Sequence, residues 1–327
     1  MTTHIEPAAS VLDTIGETPL VELNTKDSVS IYAKLETFNP GGSVKDRIGK
    51  HILEQLFDRG DVPPGGTVVE PTAGNTGIGM AIAANEFGLD AVFVVPEGFS
   101  SEKEQMMAAL GAEIVHISGD AGMADAITRA HEIADRREDA VVPQQFATQL
   151  NVDAHYCMTG PEIVEALDGR VGAVVLGVGS GGTLTGIARA VREAVPDVHV
   201  VAVEPEGSIF GALLGQHREE DDYKIEGIGT HDPSVTDLLE PEAIDEFVTV
   251  SGRDAHAEVQ RLATEESHLV GSSSGAASVA ARRVAQGIAS GDRDAPYETV
   301  VTVFPDGSER YLSKQLYGSF EQWEGKA

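Results

Sequence analysis

Short apolar runs alternate with amphipathic segments of helical period along almost the whole chain, and this alternation restricts the fold more than any other feature. The predicted strands are Thr67–Glu70, Ala91–Val95, Glu113–Ile117, Ala173–Gly177, His199–Glu204, Glu246–Val250 and Thr299–Phe304. The predicted helices are Ile78–Phe87, Glu102–Leu110, Ala124–Arg136, Leu184–Val195, Ala255–Glu266 and Ala276–Ile288. Such alternation favours mainly parallel sheets covered by helices, with ligands at the carboxyl ends of the strands.

The first candidate functional segment is the Lys45 turn, residues Asn39–Arg47. Gly41 and Gly42 permit a tight turn, and an amphipathic helix is predicted to follow. Lys45 is therefore expected at or just before a helix N-terminus, where the helix dipole should lower the pKa of its ammonium group. A neutral amine can form a Schiff base. A solvated lysine beside a helix start would give the same pattern.

Two further turns gather hydroxyl and backbone donors at predicted helix starts. The Asn75 loop, Glu70–Gly77, follows a strand and suits an anion the size of a carboxylate. A purely structural strand–helix turn is the alternative. The Ser273 turn, Gly271–Gly275, precedes an alanine-rich helix. Its serines could contact a ligand or cap that helix.

The glycine loop, Gly177–Thr183, follows a predicted strand and exposes backbone N–H groups to a phosphate at the start of the next helix. It also satisfies the dinucleotide-binding pattern, and the following strand ends at Glu204, where a ribose-binding acid would stand. The hydroxyl residues between its glycines favour a closed cup for a phosphate monoester. The motif by itself leaves both ligands open.

Taken together in this order, the four segments resemble the cysteine synthase / cystathionine β-synthase family of pyridoxal-phosphate enzymes, which have the tryptophan-synthase-β fold type. The similarity extends over nearly the whole chain. It also includes Ile15–Leu20, Lys34–Glu36, Glu102-Lys103, Gly111–Glu113, Gln144–Phe146, Thr159–Ile163 and Pro305–Leu312.

The predicted fold class is α/β, with two three-layer α/β/α domains that have mainly parallel twisted sheets and the cofactor in the cleft between them. Residues 46–150 are expected to form a smaller mobile domain. Residues 1–45 plus 151–327 are expected to form a larger domain that binds the cofactor phosphate. A chain of 327 residues is long enough for both.

The resemblance also implies roles for individual residues. Lys45 corresponds to the lysine that binds pyridoxal 5'-phosphate and moves the substrate proton, Asn75 to the amide bonded to the cofactor ring hydroxyl, and Ser273 to the serine that faces the pyridine nitrogen. The phosphate cup corresponds to Gly179, Ser180, Gly181, Gly182 and Thr183. The substrate-binding positions correspond to Thr72, Ala73, Gly74, Asn75, Thr76 and Gln145.

A serine opposite the pyridine nitrogen has a chemical consequence. A neutral hydroxyl stabilises a protonated ring less than a carboxylate would, so the ring withdraws electrons less strongly and loss of a β-substituent is favoured. The implied reaction is a β-replacement that makes L-cysteine from O-acetyl-L-serine and sulfide through an aminoacrylate intermediate. The alternatives are a cysteine desulfhydrase, a cystathionine-forming enzyme and, from another class, a nicotinamide-dependent oxidoreductase.

Two departures from the family pattern concern the substrate. Ala73 stands where the family usually has serine, which removes a hydroxyl near the substrate carboxylate and favours breakdown of cysteine over synthesis. The segment Ala147–Asn151 departs from the usual Asn-Pro-Ala-Asn pattern. The direction of the reaction and the donor therefore stay open at this point.

The chain carries 53 acidic and 23 basic residues and a formal charge of −30, which argues against nucleic acid or an anionic membrane as a partner. We interpret this charge as salt adaptation.

One cysteine, Cys157, excludes an internal disulfide and a thiolate metal cluster within one chain. Without a signal-like apolar start or a run of membrane-spanning length, a cytoplasmic protein is expected. The family resemblance implies a homodimer.

Overall fold

The computed structural model describes residues 7–26, 28–98, 100–118 and 122–325. Its strands are β1 (Leu20–Leu23), β2 (Ser30–Leu35), β3 (Thr67–Pro71), β4 (Asp90–Pro96), β5 (Glu113–Ile117), β6 (Ala140–Val141), β7 (Ala173–Gly177), β8 (His199–Pro205), β9 (Glu246–Val250) and β10 (Thr299–Phe304). Its α-helices are α1 (Lys45–Arg59), α2 (Asn75–Phe87), α3 (Ser101–Ala109), α4 (Met123–Ala134), α5 (Gln149–Ala154), α6 (Gly160–Ala166), α7 (Gly182–Ala194), α8 (Gly252–Glu266), α9 (Ser272–Ser290) and α10 (Phe320–Glu324). A π-helical turn, His155–Thr159, joins α5 to α6.

The chain divides into two compact units. The first unit comprises Met1–Glu17 and Asn39–Gln144, and the second comprises Thr18–Phe38 and Gln145–Ala327. Lys45 belongs to the first unit because its helix α1 packs on α2, whereas β1 and β2 belong to the second because β2 pairs with β10. Compared with the expected division, residues 1–17 and 39–45 cluster with the first unit, and residues 145–150 cluster with the second.

The first unit contains a four-stranded parallel sheet in the order β5-β4-β3-β6. Strand β3 is buried at every residue, as is typical of parallel strands covered on both faces. Helix α4 packs its buried alanines on one face, against Val69, Val92 and Val94. Helix α2 also packs against β4 and lies alongside α1. This arrangement puts the N-terminus of α2 directly after the carboxyl end of β3.

The second unit contains a six-stranded sheet in the order β1-β2-β10-β7-β8-β9. Its strands are parallel except for β1, which pairs antiparallel with β2. One apolar core includes Ala280 and Val284 of α9, and the other includes Leu184 and Ile187 of α7. The sheet is therefore covered on both faces, and α7 and α9 begin near the carboxyl ends of its strands.

All seven predicted strands and all six predicted helices are confirmed, with shifts at their ends. Strands β1, β2 and β6 and the helices from Gln149 to Ala166 were not predicted from the sequence. Charged and polar residues interrupt β1 and β2, and β6 has two residues, so none of them has the continuous apolar run of the central strands. The predicted α/β class with mainly parallel sheets is confirmed.

Candidate active site

The Lys45 turn is held by side-chain hydrogen bonds to its own backbone. Asn39 accepts the Gly16 N–H (2.9 Å) with its side-chain oxygen and donates to the Ser43 carbonyl (3.0 Å). The buried Asp46 carboxylate accepts the Gly41 N–H (2.5 Å). Lys45 is the first residue of α1 and partly exposed, and its N–H donates to the Ser43 hydroxyl oxygen (3.2 Å). The predicted position of Lys45 at a helix N-terminus is confirmed.

Helices α1 and α2 contact each other at two glycines, Gly49 and Gly79. A Cβ atom on Gly49 would lie 2.3 Å from the carbonyl carbon of Gly79, and a Cβ on Gly79 would lie 2.5 Å from the carbonyl oxygen of Lys45. Distances this short leave no room for a side chain, so the two backbones are in direct contact. Since α2 begins at Asn75, this contact fixes the Lys45 backbone relative to the Asn75 loop.

The Asn75 loop runs from the end of β3 into the first turn of α2. Thr72, Ala73 and Thr76 are buried, whereas Gly74 and Asn75 are half-buried. The Thr72 hydroxyl oxygen accepts the Gly74 N–H (3.3 Å), and a Cβ on Gly74 would meet no atom within 4 Å. The loop therefore presents hydroxyl and amide groups at a helix N-terminus, where a carboxylate is stabilised.

The glycine loop forms the start of α7. Gly181 has a left-handed φ of 86°, and a Cβ there would lie 2.8 Å from Leu239, so this position requires glycine. The first helical hydrogen bond runs from the Thr185 N–H to the Gly181 carbonyl (3.0 Å). The N–H groups that precede Thr185 in α7 are therefore available to an anion, since the first turn of a helix has no acceptors for them.

A buried histidine supports the last residue of the glycine loop. His155 Nε2 lies 3.1 Å from the Thr183 hydroxyl, and its Nδ1 lies 2.9 Å from the Thr159 hydroxyl. His155 begins the π-helical turn, a local distortion that is common near functional sites. Sequence reasoning missed His155, because its two partners become neighbours only when α5, the π turn and α7 pack together.

Glu204 is fully buried and does not act as a free ribose-binding acid. Its carboxylate accepts hydrogen bonds from the Ser208 hydroxyl (2.9 Å), the Gly211 N–H (3.2 Å) and the Arg218 guanidinium (2.6 Å). These protein donors occupy both carboxylate oxygens. The structure therefore speaks against the dinucleotide interpretation of the glycine loop.

The Ser273 turn places three buried serines at the start of α9. The Ser272 hydroxyl oxygen accepts the Glu226 N–H (3.1 Å). Among the residues that the structure describes, the fully buried Ser274 hydroxyl has no hydrogen-bond partner. The assignment of Ser273 to the pyridine nitrogen stays a prediction, and Ser274 is a second candidate for that contact.

The predicted site residues fall into two groups. The first unit holds Lys45 and Thr72–Thr76, and the second holds Gln145, Gly179–Thr183 and Ser273. The start of α7 offers backbone donors to a phosphate-sized anion, and an amine and an amide stand at the starts of α1 and α2. Taken by itself, each unit carries groups that suit pyridoxal 5'-phosphate: the second unit has the phosphate cradle, and the first has the lysine and an amide for the ring hydroxyl.

The described part of the chain shows neither a cluster of metal ligands nor a membrane-spanning helix. No group of three or more His, Cys, Asp or Glu residues there could hold a metal ion. No helix there combines the length and the apolar composition that crossing a membrane demands.

Comparison with known proteins defines the class. Residues 11–306 match the model of the family described as pyridoxal-phosphate dependent enzyme, and the chain belongs to that family. It is a pyridoxal-phosphate-dependent enzyme, as the sequence analysis predicted.

Individual relatives point to a narrower group. The chain is 44% identical to the O-acetylserine dependent cystathionine beta-synthase of Bacillus subtilis, over 94% of this chain and 97% of that protein. It is 42% identical to a cysteine synthase of Helicobacter pylori, over 93% and 97%. The solved O-acetylserine dependent cystathionine beta-synthase of Helicobacter pylori is similar in structure, with a TM-score of 0.85, 41% identity and coverage of 96% and 100%.

Proposed function

We propose that this protein catalyses a β-replacement in which the acetate group of O-acetyl-L-serine is exchanged for sulfide to give L-cysteine. The observation that carries the proposal is the direct contact between α1 and α2. It fixes Lys45, a base, next to a helix N-terminus suited to an amino-acid carboxylate. The choice of O-acetylserine is supported by the relatives named above.

The residues of the first unit have distinct tasks in this reaction. Thr72, Asn75 and Thr76 hold the substrate carboxylate and so orient the bond from Cα to hydrogen. Lys45 Nζ removes the Cα proton, the bond from Cβ to oxygen breaks, and acetate leaves. Sulfide then forms a bond to Cβ, and Lys45 returns a proton to Cα. Bound pyridoxal phosphate supplies the electron withdrawal that makes the Cα proton acidic.

A second candidate function is the formation of cystathionine, in which homocysteine replaces sulfide as the thiol. The specific observation in its favour is that the Bacillus subtilis relative, at 44% identity, and the solved Helicobacter pylori structure, at 41%, are both named O-acetylserine dependent cystathionine beta-synthases. The chemistry at Lys45 is the same for both thiols, so the two functions differ in the space offered to the nucleophile.

Product analysis separates these functions. The holoenzyme is given O-acetylserine with sulfide, with homocysteine or with both, and products are separated by chromatography. We expect cysteine as the main product when both thiols are present at equal concentration. A large excess of cystathionine would establish the second function instead. Pyruvate and sulfide released from cysteine alone, with no replacement product from O-acetylserine, would contradict both and support a desulfhydrase.

We also propose that the protein works as a homodimer in a salt-rich cytoplasm. The support for the salt-rich cytoplasm is the net charge of −30, whose self-repulsion salt would screen. The homodimer follows from the family resemblance. Light scattering and activity measured against KCl concentration test the proposal. We expect a dimer whose activity rises with KCl over the molar range. A stable monomer, or full activity and stability in dilute buffer, would contradict it.

A further inference from the structure

Two buried side chains of the second unit tie the glycine loop to the segment that begins with Gln145. Asn151, in α5, is fully buried, and its Nδ2 donates to the Gln145 carbonyl (2.8 Å) and to the Ser180 hydroxyl oxygen (3.2 Å). The Thr236 hydroxyl bonds to the Ser180 carbonyl and lies 3.1 Å from the Phe146 carbonyl. Ser180, a predicted phosphate-binding residue, is therefore joined through Asn151 to Gln145, a predicted substrate-binding residue, and through Thr236 to the next residue, Phe146.

The Asn151 amide has one chemically acceptable orientation. The Gln145 carbonyl can accept a hydrogen bond but cannot donate one, so the nitrogen of the amide has to face it. The Asn151 oxygen then points towards Gly182, where a Cβ atom would lie 2.3 Å from it. Among the described residues this oxygen is buried without a hydrogen-bond partner. The Asn151 oxygen therefore stays without a hydrogen bond, at a cost in free energy, while Nδ2 faces Gln145 and Ser180.

The orientation of Asn151 decides what Ser180 can do. A hydroxyl group has one hydrogen, and because Nδ2 of Asn151 already donates to the Ser180 oxygen, that hydrogen is not needed for the contact. The Ser180 O–H is thus directed away from Asn151 and can donate to an anion at the start of α7. A hydrogen bond to a charged group contributes more than one between neutral groups.

We propose that Asn151 is a positioning residue that sets the Ser180 hydroxyl as a donor to the cofactor phosphate and fixes Gln145 through the same amide nitrogen. The proposal rests on the proposed phosphate-binding role of the glycine loop. It adds a residue that touches neither the cofactor nor the substrate. Its two contacts predict two separable effects, one on cofactor affinity through Ser180 and one on substrate affinity through Gln145.

The test is a double-mutant cycle on cofactor affinity. Asn151→Leu keeps a similar shape but cannot donate, so the Ser180 hydroxyl loses its fixed direction. We expect the dissociation constant of pyridoxal phosphate from the holoenzyme to rise about tenfold, the size of one hydrogen bond to a charged group. In a Ser180→Ala background, the same substitution should change the dissociation constant less than about twofold, because the hydroxyl it acts on is gone.

Two further variants and the kinetics with O-acetylserine test the role of Asn151 independently. Asn151→Asp is closer still in shape, and its carboxylate would accept the Ser180 hydrogen, so cofactor affinity should fall further. The KM for O-acetylserine should rise more than kcat falls in both variants, because Gln145 loses its donor. Thr236→Val, which leaves the Asn151 contact with Ser180 in place, should weaken cofactor binding less than Asn151→Leu does.

Unchanged cofactor affinity in the Asn151 variants would overturn the proposal. An effect of equal size with and without the Ser180 hydroxyl would overturn it as well, since it would show that Asn151 does not act through Ser180. Cofactor titration needs no substrate, so it gives an answer even if product analysis rejects O-acetylserine. If cofactor affinity is insensitive to Ser180→Ala and to every Asn151 variant, the phosphate-binding role of the loop fails with the proposal.

Discussion

The two units of the molecule join their functional segments by different means. In the first unit, the Lys45 turn is joined to the Asn75 loop by a contact between two helix backbones, which depends on Gly49 and Gly79 having no side chain. In the second unit, the glycine loop is joined to the Gln145 segment by buried side-chain hydrogen bonds, among them those of Asn151. An added side-chain atom at Gly49 or Gly79 should disrupt the helix contact of the first unit. The loss of one hydrogen-bond donor should disrupt the link in the second unit.

The difference corresponds to the tasks proposed for each unit. Proton transfer by Lys45 requires close control of its position relative to the substrate carboxylate, and a backbone contact has few degrees of freedom. Phosphate binding requires donors aimed at one anion, and side-chain hydrogen bonds can set the direction of each donor. Substitutions in the two units should therefore affect different measurements.

The largest effect is expected for Lys45→Ala. The variant should lose roughly a thousandfold or more in kcat, because it lacks the base that moves the Cα proton. It should still bind the cofactor through the glycine loop, so absorbance after gel filtration should show retained cofactor. Lys50→Ala, on the same helix, is the matched control; Lys50 contacts the Leu12 carbonyl (2.9 Å), and its loss should leave kcat nearly unchanged. Equal losses in both variants would contradict the assignment.

Gly79→Ala tests the backbone contact of the first unit. The added methyl group would collide with the Lys45 carbonyl, so the free energy of unfolding should fall by about 1–3 kcal/mol and kcat should fall with it. Urea unfolding and steady-state kinetics measure the two effects. The control is Gly122→Ala in the same unit, where a Cβ would meet no atom within 4 Å. A Gly79→Ala variant as stable and as active as this control would mean that the contact is not tight.

A pair of serine substitutions sharpens the assignment at the start of α9. Ser273→Ala should lower kcat up to about tenfold, as expected for the loss of one hydrogen bond. Ser274→Ala should leave kcat within about twofold and should not lower the free energy of unfolding, because its buried hydroxyl has no hydrogen-bond partner to lose. Steady-state kinetics and thermal unfolding check both. The reverse pattern would identify Ser274 as the residue that faces the ring.

The smallest effect concerns an ion pair of the second unit outside the loops. Hydrogen bonds from Arg293 (2.7 and 3.0 Å) hold the pKa of Glu246 below its ordinary value of 4.5, and His199 lowers it further. A carboxylate whose pKa is lower in the folded state stabilises the fold at pH values above its unfolded-state pKa. That stabilisation is lost as the pH falls through its folded-state pKa. Arg293→Ala should therefore lower the free energy of unfolding by about 0.5–1 kcal/mol at pH 7, and by less at pH 3.

The control for this ion pair is Arg170→Ala, whose guanidinium is exposed and lies 3.8 Å from the Asp168 carboxylate. Unfolding by urea at both pH values should show no measurable change for it. A constant effect of Arg293→Ala from pH 7 to pH 3 would mean that the charge of Glu246 is not involved.

The sequence predicted the central strands and the four loops because their signals are local. Strand β7 is an apolar run that ends in glycines, and Lys45 directly precedes an amphipathic helix. The bridging residues could not be predicted in this way. Asn151 lies 29 positions from Ser180, and Thr236 lies 56 positions from it. No local pattern reports which of several buried polar side chains will meet after folding.

The boundary of the units was also beyond local reasoning. The expected division placed residues 1–45, and Lys45 with them, in the larger domain. In the structure, the division into units follows from strand pairing and helix packing. Strand β2 pairs with β10 from the far end of the chain, and α1 packs on α2. Both contacts join segments that are separated in the sequence, so a local pattern does not show them.

The measurement that tests the central claim most directly is borohydride reduction of the holoenzyme followed by peptide mapping. Reduction makes the link between the cofactor and its lysine permanent, and mass spectrometry then locates it. We expect a single modified peptide that carries the label on Lys45 and a simultaneous loss of β-replacement activity. A label on another lysine, or full activity after complete reduction, would contradict the account.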